Sequence, residues 1–194
     1  MELNTGNTAW VLISSALVML MTPGLGLFYG GLVRKKNVLS TLMHSYFILC
    51  LIAIVWALWG YSIAFSGTGR FIGNLDNVFL RGVDATPGAT GVPATVFMFF
   101  QMMFAIITVA LISGAFAERK NFKAFVAFAI LWSTLVYSVV CHWVWAPGGW
   151  LFDYGAMDFA GGTVVHIASG VTALIAAIVI GRRKKKKKEG VTPH

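Results

Sequence analysis

One histidine lies where an ionisable side chain is rarely tolerated. His166 occurs in GGTVVHIASG, inside a long apolar segment, four residues from Gly162 on one side and from Gly170 on the other. An imidazole buried in such a segment is costly unless it faces the protein interior or a water-filled cavity. Spacing of four places the three residues on one helix face, where the glycines let another backbone or a narrow pore approach the ring. The pattern favours a functional imidazole, with a hydrogen bond between packed helices as the alternative.

Two aromatic residues stand where rings could collect a cation. Phe104 occurs in FFQMMFAIIT, one helical turn after Gln101, and Trp145 occurs in CHWVWAPGG at the end of another apolar segment. Aromatic faces attract cations, so rings at the mouth of a pore could concentrate a small one. Because 14% of the chain is aromatic, packing or a place at the membrane boundary is the alternative explanation for either ring.

Other polar residues near the apolar segments have more ordinary explanations. Asp158 precedes the last segment, where a carboxylate could cap a helix N-terminus, and we expect a structural role for it. His44 and His142 lie near segment ends, where water or backbone groups usually satisfy an imidazole, and Glu118 is expected to anchor a helix end. The sequence shows no nucleotide-binding loop, metal-ligand spacing or nucleophile pattern. Nothing in it indicates an enzyme or a cofactor.

Membrane-spanning helices must position these residues. Apolar residues make up 58% of the 194 residues and charged residues only 11%, too few charges to cover a soluble domain. Five apolar blocks are each long enough to cross a hydrocarbon core of about 30 Å at about 1.5 Å per helical residue. They are predicted at 8–33, 39–65, 93–117, 122–145 and 159–181, in a single membrane domain, 1–194, that ends in a basic tail, 182–194. The predicted fold class is therefore an all-α integral membrane protein with five transmembrane helices.

The distribution of charge predicts the orientation of these helices. Clusters of three, three and seven basic residues follow the first, third and fifth blocks, and together they hold 13 of the 15 Lys and Arg residues. The positive-inside rule then places the N-terminus outside and the C-terminus in the cytoplasm. Six tryptophans fall near the predicted outer boundary, where such rings settle: Trp10, Trp56, Trp59, Trp143, Trp145 and Trp150. Orientation and attraction to anionic lipids explain the net charge of +8, so no nucleic acid partner is implied.

Three segments together identify a resemblance. MTPGLGLFYGGLVRKKNVLS, LISGAFAER and DFAGGTVVHI resemble the Amt/Mep/Rh ammonium transporter family, on the Amt side, in order and in spacing, and the resemblance extends over essentially the whole chain. It implies a subunit of about eleven helices, with two five-helix halves related by an inverted pseudo-twofold and a hydrophobic pore in each subunit of a trimer. This chain would be the N-terminal half.

The resemblance also implies roles for individual residues. Trp145 corresponds to the tryptophan of an external site that recruits ammonium by cation–π contact, and Phe104 to the phenylalanine gate below it. His166 corresponds to the first of two paired pore histidines, and Asp158 to an aspartate with a structural or electrostatic role. The implied function is conduction of ammonium as ammonia, with or without a separate proton, across a plasma or inner membrane. The implied partners are ammonium or ammonia, the lipid bilayer, two further subunits of a homotrimer and a PII-type signalling protein.

The chain also departs from the family pattern. The second half, with the partner histidine of the pore, has no counterpart before His194, so a complementary C-terminal half is a further implied partner. The lysine run at 184–188 is more basic than the family pattern, and His44 stands where glutamine is more familiar. Three alternatives remain: an ammonium sensor, a non-transporting fragment, and a redox subunit with His142 and His166 as haem ligands. The unequal depth of the two histidines counts against the last of these.

Overall fold

Five long helices form the described part of the chain. The computed structural model describes residues 2–119 and 121–181, and five helices in this part of the chain are long and apolar enough to cross a membrane. This confirms the predicted all-α class with five spans. The helices are α1 (Thr5–Leu32), α2 (38–65), α3 (Ala94–Phe116), α4 (122–145) and α5 (Gly162–Ile180), with short helical turns at Lys35–Asn37, Val78–Leu80 and Trp150–Asp153. The predicted tail, 182–194, lies outside the described residues.

Three of the long helices contain a π-helical turn. These turns are Trp56–Gly60 in α2, Ser133–Tyr137 in α4 and Gly162–Ile167 at the start of α5. A π turn accommodates an extra residue and changes the direction of the side chains that follow it, and such turns are frequent at functional sites. The turn in α5 contains His166, so the sequence spacing around this histidine does not translate into the faces of a regular α-helix.

The connections between helices gather on two sides of the bundle. On one side, the backbone N–H of Asn4 donates to the carbonyl of Gly91 at 2.9 Å, and that of Trp150 donates to the carbonyl of Arg70 at 3.1 Å. We call this the N-terminal side and the opposite one the basic side. The N-terminal side comprises 2–4, 66–93 and 146–161, and the basic side comprises 33–37, 117–119, 121 and 181. The helices thus cross the bundle alternately, and the direction of the bundle in a membrane stays a prediction.

Glu118 joins two connections on the basic side. Its Oε1 accepts hydrogen bonds from the backbone N–H of Arg34 at 3.2 Å, from Nε of Arg34 at 2.9 Å and from Nδ2 of Asn37 at 2.6 Å. Burial opposes the charged carboxylate, but the hydrogen bonds from Arg34 and Asn37 outweigh it and lower the pKa of Glu118 to about 2. The residue holds the end of α3 against the α1–α2 connection, which confirms the predicted anchoring role.

Small residues allow the helices around α3 to approach closely. A Cβ atom on Gly26 of α1 would lie 3.1 Å from Cβ of Ser45 on α2, and Gly30 packs against the same helix. On α3, a Cβ atom on Gly114 would lie 2.7 Å from the ring carbon Cζ of Tyr29. These contacts place α1 against both α2 and α3 at distances that only small residues permit.

Trp56 corrects the prediction of a boundary formed by six tryptophans. Its side chain is 2% exposed, packs against Tyr61 and Tyr137, and donates from Nε1 to the carbonyl of Met98 at 3.3 Å. Trp10, in contrast, is 73% exposed on α1. Trp56 therefore belongs to the interior of the bundle, where its ring packs against Tyr137 of α4.

Candidate functional site

An aromatic cleft of about 380 Å³ opens between α3, the end of α4 and the segment that leads into α5. The ring of Phe104 contacts the rings of Phe100 and Trp145 edge to face, with centroid distances of 4.9 and 5.8 Å. The cleft is lined by Phe97, Phe100, Gln101, Phe104, Val144, Trp145, Phe152, Ala156, Asp158, Phe159, Ala160 and Gly161. The structure thus brings together the two aromatic residues that the sequence singled out, and their faces can attract a cation.

Phe100 is a lining residue that the sequence reasoning missed. It precedes Phe104 by four residues on α3, so the two rings lie on the same helix face. This spacing was the available signal, although it does not distinguish a cleft from ordinary packing in a chain with 15 phenylalanines.

Asp158 lines the aromatic cleft and caps α5. Its Oδ1 accepts from the backbone N–H of Gly162 at 2.6 Å, and its Oδ2 accepts from those of Thr163 and Val164 at 3.0 Å each. The first N–H groups of a helix lack partners within the helix, and an anion at that end is also favoured by the helix dipole. The predicted cap is therefore confirmed. It fixes a carboxylate at the rim of the aromatic cleft.

A second cavity, the apolar pocket, lies deeper along α3. Its volume is about 360 Å³, and His166 is the only ionisable residue among those that line it. The pocket is lined by Met21, Gly24, Leu25, Phe28, Phe104, Ile107, Leu111, Ala160, Val165 and His166. Phe104 and Ala160 line both cavities. The phenyl ring of Phe104 consequently stands between the aromatic cleft and the apolar pocket.

The imidazole of His166 reaches the apolar pocket and the surface of the chain. Within the described residues the ring makes no hydrogen bond, and the side chain is exposed. Gly162 and Gly170 are exposed as well, and a Cβ atom on Gly170 would meet nothing within 4 Å. The glycines therefore leave open space beside the histidine and do not pack against another helix of this chain. The hydrogen bond between packed helices that would explain His166 structurally is not formed here.

The two remaining histidines of the membrane segments lie away from both cavities. His142 is fully buried, with Nδ1 2.9 Å from the carbonyl oxygen of Ala64 and Nε2 against that of Gly69. Since each ring nitrogen faces a backbone carbonyl, His142 has no nitrogen to offer a haem iron together with His166. His44 packs against aromatic rings of α4. The redox alternative does not fit this arrangement.

Known proteins are similar to this chain in sequence and in fold. The model of the Ammonium Transporter Family matches residues 9–194. An ammonium transporter of Bacillus subtilis is 54% identical over 181 residues, which are 92% of this chain and 45% of that protein. The crystal structure of Candida albicans Mep2 matches with a TM-score of 0.90 at 37% identity, over 100% of this chain and 44% of that one. A structure described as a sensor Amt protein matches with a TM-score of 0.85 at 30% identity, over 97% of this chain and 47% of that one.

The matches agree in the share of the relatives' length that this chain spans and in the family to which they point. The chain spans less than half the length of each of these relatives, and the family match covers nearly all of the chain. Members of the Ammonium Transporter Family are transporters and not enzymes. Five apolar helices make this chain a multi-pass membrane protein. The chain belongs to the ammonium transporter family.

Proposed function

We propose that this chain forms one wall of an ammonium-conducting pore in the cell membrane. Ammonium is recruited in the aromatic cleft and continues as ammonia into the apolar pocket. The observation that carries this proposal is the arrangement of the two cavities in series, with Phe104 lining both. The relatives named ammonium transporters support the same substrate.

Recruitment follows from the chemistry of the aromatic cleft. The faces of Trp145, Phe100 and Phe104 attract a small cation, and each such contact contributes about 0.5–2 kcal/mol depending on desolvation. The carboxylate of Asp158 adds a negative charge that its three backbone hydrogen bonds keep in place. Together the rings and the carboxylate raise the local concentration of ammonium at the mouth of the pore.

Passage beyond Phe104 favours the neutral species. The apolar pocket offers a charged ion little in exchange for its water shell, whereas ammonia loses far less on entering it. Ammonium therefore transfers a proton near the Phe104 ring, either to water at the open cleft or to the imidazole of His166. The ring must then turn aside to let ammonia pass. The imidazole of His166 then provides a hydrogen-bond partner for ammonia and a basic ring nitrogen that can relay a proton.

A second wall is needed to close the pore. The exposed side of α5 carries Gly162, His166 and Gly170, and further along it five large apolar side chains: Val171, Leu174, Ile175, Ile178 and Val179. A complementary C-terminal half fits this side, because the chain covers only 45% of the Bacillus subtilis relative. In our proposal the completed subunit forms a homotrimer, with its N-terminus outside the cell and its basic side towards the cytoplasm and a PII-type regulator.

The proposal can be tested with two separate halves. The chain is produced in a bacterium without its own ammonium transporters, alone and together with the C-terminal remainder of the Bacillus subtilis relative. We expect saturable ammonium uptake and growth on low ammonium only when both halves are present. Co-purification of the halves, combined with no uptake at any ammonium concentration, would contradict a transport function.

The match to a sensor Amt protein supports a second candidate function, in which the aromatic cleft binds ammonium without flux. Reconstitution of the same pair of halves in vesicles separates the two candidates. Transport predicts that an ammonium gradient changes the pH inside the vesicles, whereas a sensor predicts saturable binding with no change in internal pH.

A further inference from the structure

Gln101 is a polar residue of the aromatic cleft to which the mechanism above gives no role. It lies on α3, its side chain is 8% exposed, and its Oε1 is buried without a hydrogen-bond donor among the described residues. A buried amide carbonyl without a donor is unfavourable, because folding removes its hydrogen bonds to water and supplies none in return. The fold keeps this polar group at the cleft at a cost to stability.

The surroundings of Gln101 leave its carbonyl as the acceptor available to a ligand. The oxygens of Asp158, the one ionisable side chain among the residues that line the cleft, already accept three backbone hydrogen bonds. The remaining lining consists of aromatic rings and small or apolar residues. Rotation about the last side-chain torsion of a glutamine is broad, so its carbonyl can turn towards a cation in the cleft.

We propose that Oε1 of Gln101 accepts an N–H hydrogen bond from ammonium held against Trp145 and Phe104. The inference rests on the proposed function and gives the recruitment site its selectivity. Cation–π contact attracts any small organic cation, including quaternary ammonium ions. An unpaired acceptor, however, discriminates strongly between ligands that can donate to it and ligands that cannot. Gln101 therefore makes recognition depend on N–H groups as well as on charge.

The test compares two cations of equal charge. The whole chain in lipid nanodiscs is titrated calorimetrically with ammonium chloride and with tetramethylammonium chloride, which has no N–H group. Gln101→Leu is expected to weaken ammonium binding roughly ten-fold or more, as for loss of a hydrogen bond to a charged group, and to leave tetramethylammonium binding unchanged. Ser113→Ala is the matched control, because Ser113 also has a buried, unpartnered oxygen on α3 but does not line the cleft.

The results distinguish failure of the role of Gln101 from failure of ammonium recruitment by the cleft. Ammonium binding that is equally tight in Gln101→Leu, or an equal loss for both cations, overturns the role of Gln101 and leaves recruitment by the cleft intact. A native chain that binds neither cation removes the cleft from the proposed function itself. Gln101→Glu, which keeps an acceptor, provides the answer if the leucine variant does not fold. Its preference for ammonium over tetramethylammonium must equal or exceed that of the native chain, and a lower preference overturns the inference.

Discussion

The aromatic cleft and the apolar pocket are nearly equal in size and opposite in chemistry. Their volumes are about 380 and 360 Å³, and they share the ring of Phe104. The cleft adds a carboxylate and an amide to its rings, whereas the pocket has a single imidazole in an otherwise apolar lining. Size alone would admit the same small solute to both cavities. The difference in lining is therefore what favours a cation in one and a neutral molecule in the other.

The positions of the two neighbouring cavities along the helices explain why their linings differ. The cleft lies where α3 begins and α4 ends, beside the segment in which Asp158 caps α5. Polar groups at helix ends are therefore available to it. The pocket lies against the later turns of α1, the middle of α3 and the first turns of α5, where the backbone N–H groups of Val165 and His166 both donate to the carbonyl of Gly161. The polar group of the pocket is therefore a side chain, that of His166.

The largest effect is expected from His166→Ala, which leaves the pocket without its imidazole. In vesicles that contain both halves, we expect ammonium-driven charge movement to fall by about 100-fold, at the lower end of what positioned acid–base groups contribute. His44→Ala removes a histidine from α2, outside both cavities, and serves as the control. Charge movement that is normal in His166→Ala would exclude a proton relay through this residue.

Trp145→Leu tests the cleft in the uptake assay with both halves. Loss of one cation–π partner should raise the ammonium concentration that gives half-maximal uptake by roughly ten-fold, with little change in the maximal rate, because recruitment precedes the step at Phe104. Trp10→Leu is the control, since Trp10 is 73% exposed on α1 and lines neither cavity. A lower maximal rate at unchanged half-saturation would assign Trp145 to passage and erase the distinction between cleft and pocket.

Asp158→Asn separates the charge of the cleft from the cap of α5. Asparagine keeps one of the two acceptor oxygens and is also a good N-cap, so part of the cap is retained while the negative charge is lost. We expect half-saturation to rise a few-fold at low ionic strength and to approach the native value in high salt, where the charge is screened. Asp158→Ala loses both functions and is expected to destabilise the chain by about 1 kcal/mol in thermal unfolding. Equal uptake by Asp158→Asn and the native chain at every salt concentration would limit Asp158 to capping.

Much of this arrangement could be predicted from the sequence, and the reasons for the exceptions are local. Length and hydropathy predicted five spans, because a membrane-crossing helix needs a long apolar block. The role of Asp158 as a cap followed from its position before the last block. The sequence could not predict the π turns, since the hydrophobic pattern of a fully apolar helix carries little periodicity. The burial of Trp56 was missed because it depends on contacts with Tyr61 and Tyr137 that hydropathy does not reveal.

The cleft itself shows the limit of sequence reasoning. Phe104 and Trp145 were singled out separately, on different spans, and only the packing of α3 against α4 shows that their rings meet. Gln101 was noticed for its place near Phe104, but its unpartnered oxygen depends on every neighbouring side chain. Spacing predicted a shared face for His166 and Gly170, and both are exposed although a π turn replaces the regular helix at His166. That no described residue lies against Gly170 is visible only in the fold.

Gly170→Ala gives the smallest effect and tests whether the open face of α5 borders the pore. A Cβ atom there meets nothing within 4 Å in this chain, and alanine is favoured over glycine inside a helix by about 0.5–1 kcal/mol, so thermal stability of the chain should rise slightly. If the added methyl group narrows the passage beside His166, uptake by the two halves falls a few-fold at unchanged half-saturation. Gly6→Ala near the start of α1, outside both cavities, is the control. Uptake that is unchanged in a stabilised Gly170→Ala chain would place this glycine against lipid, and the apolar pocket would then end at His166.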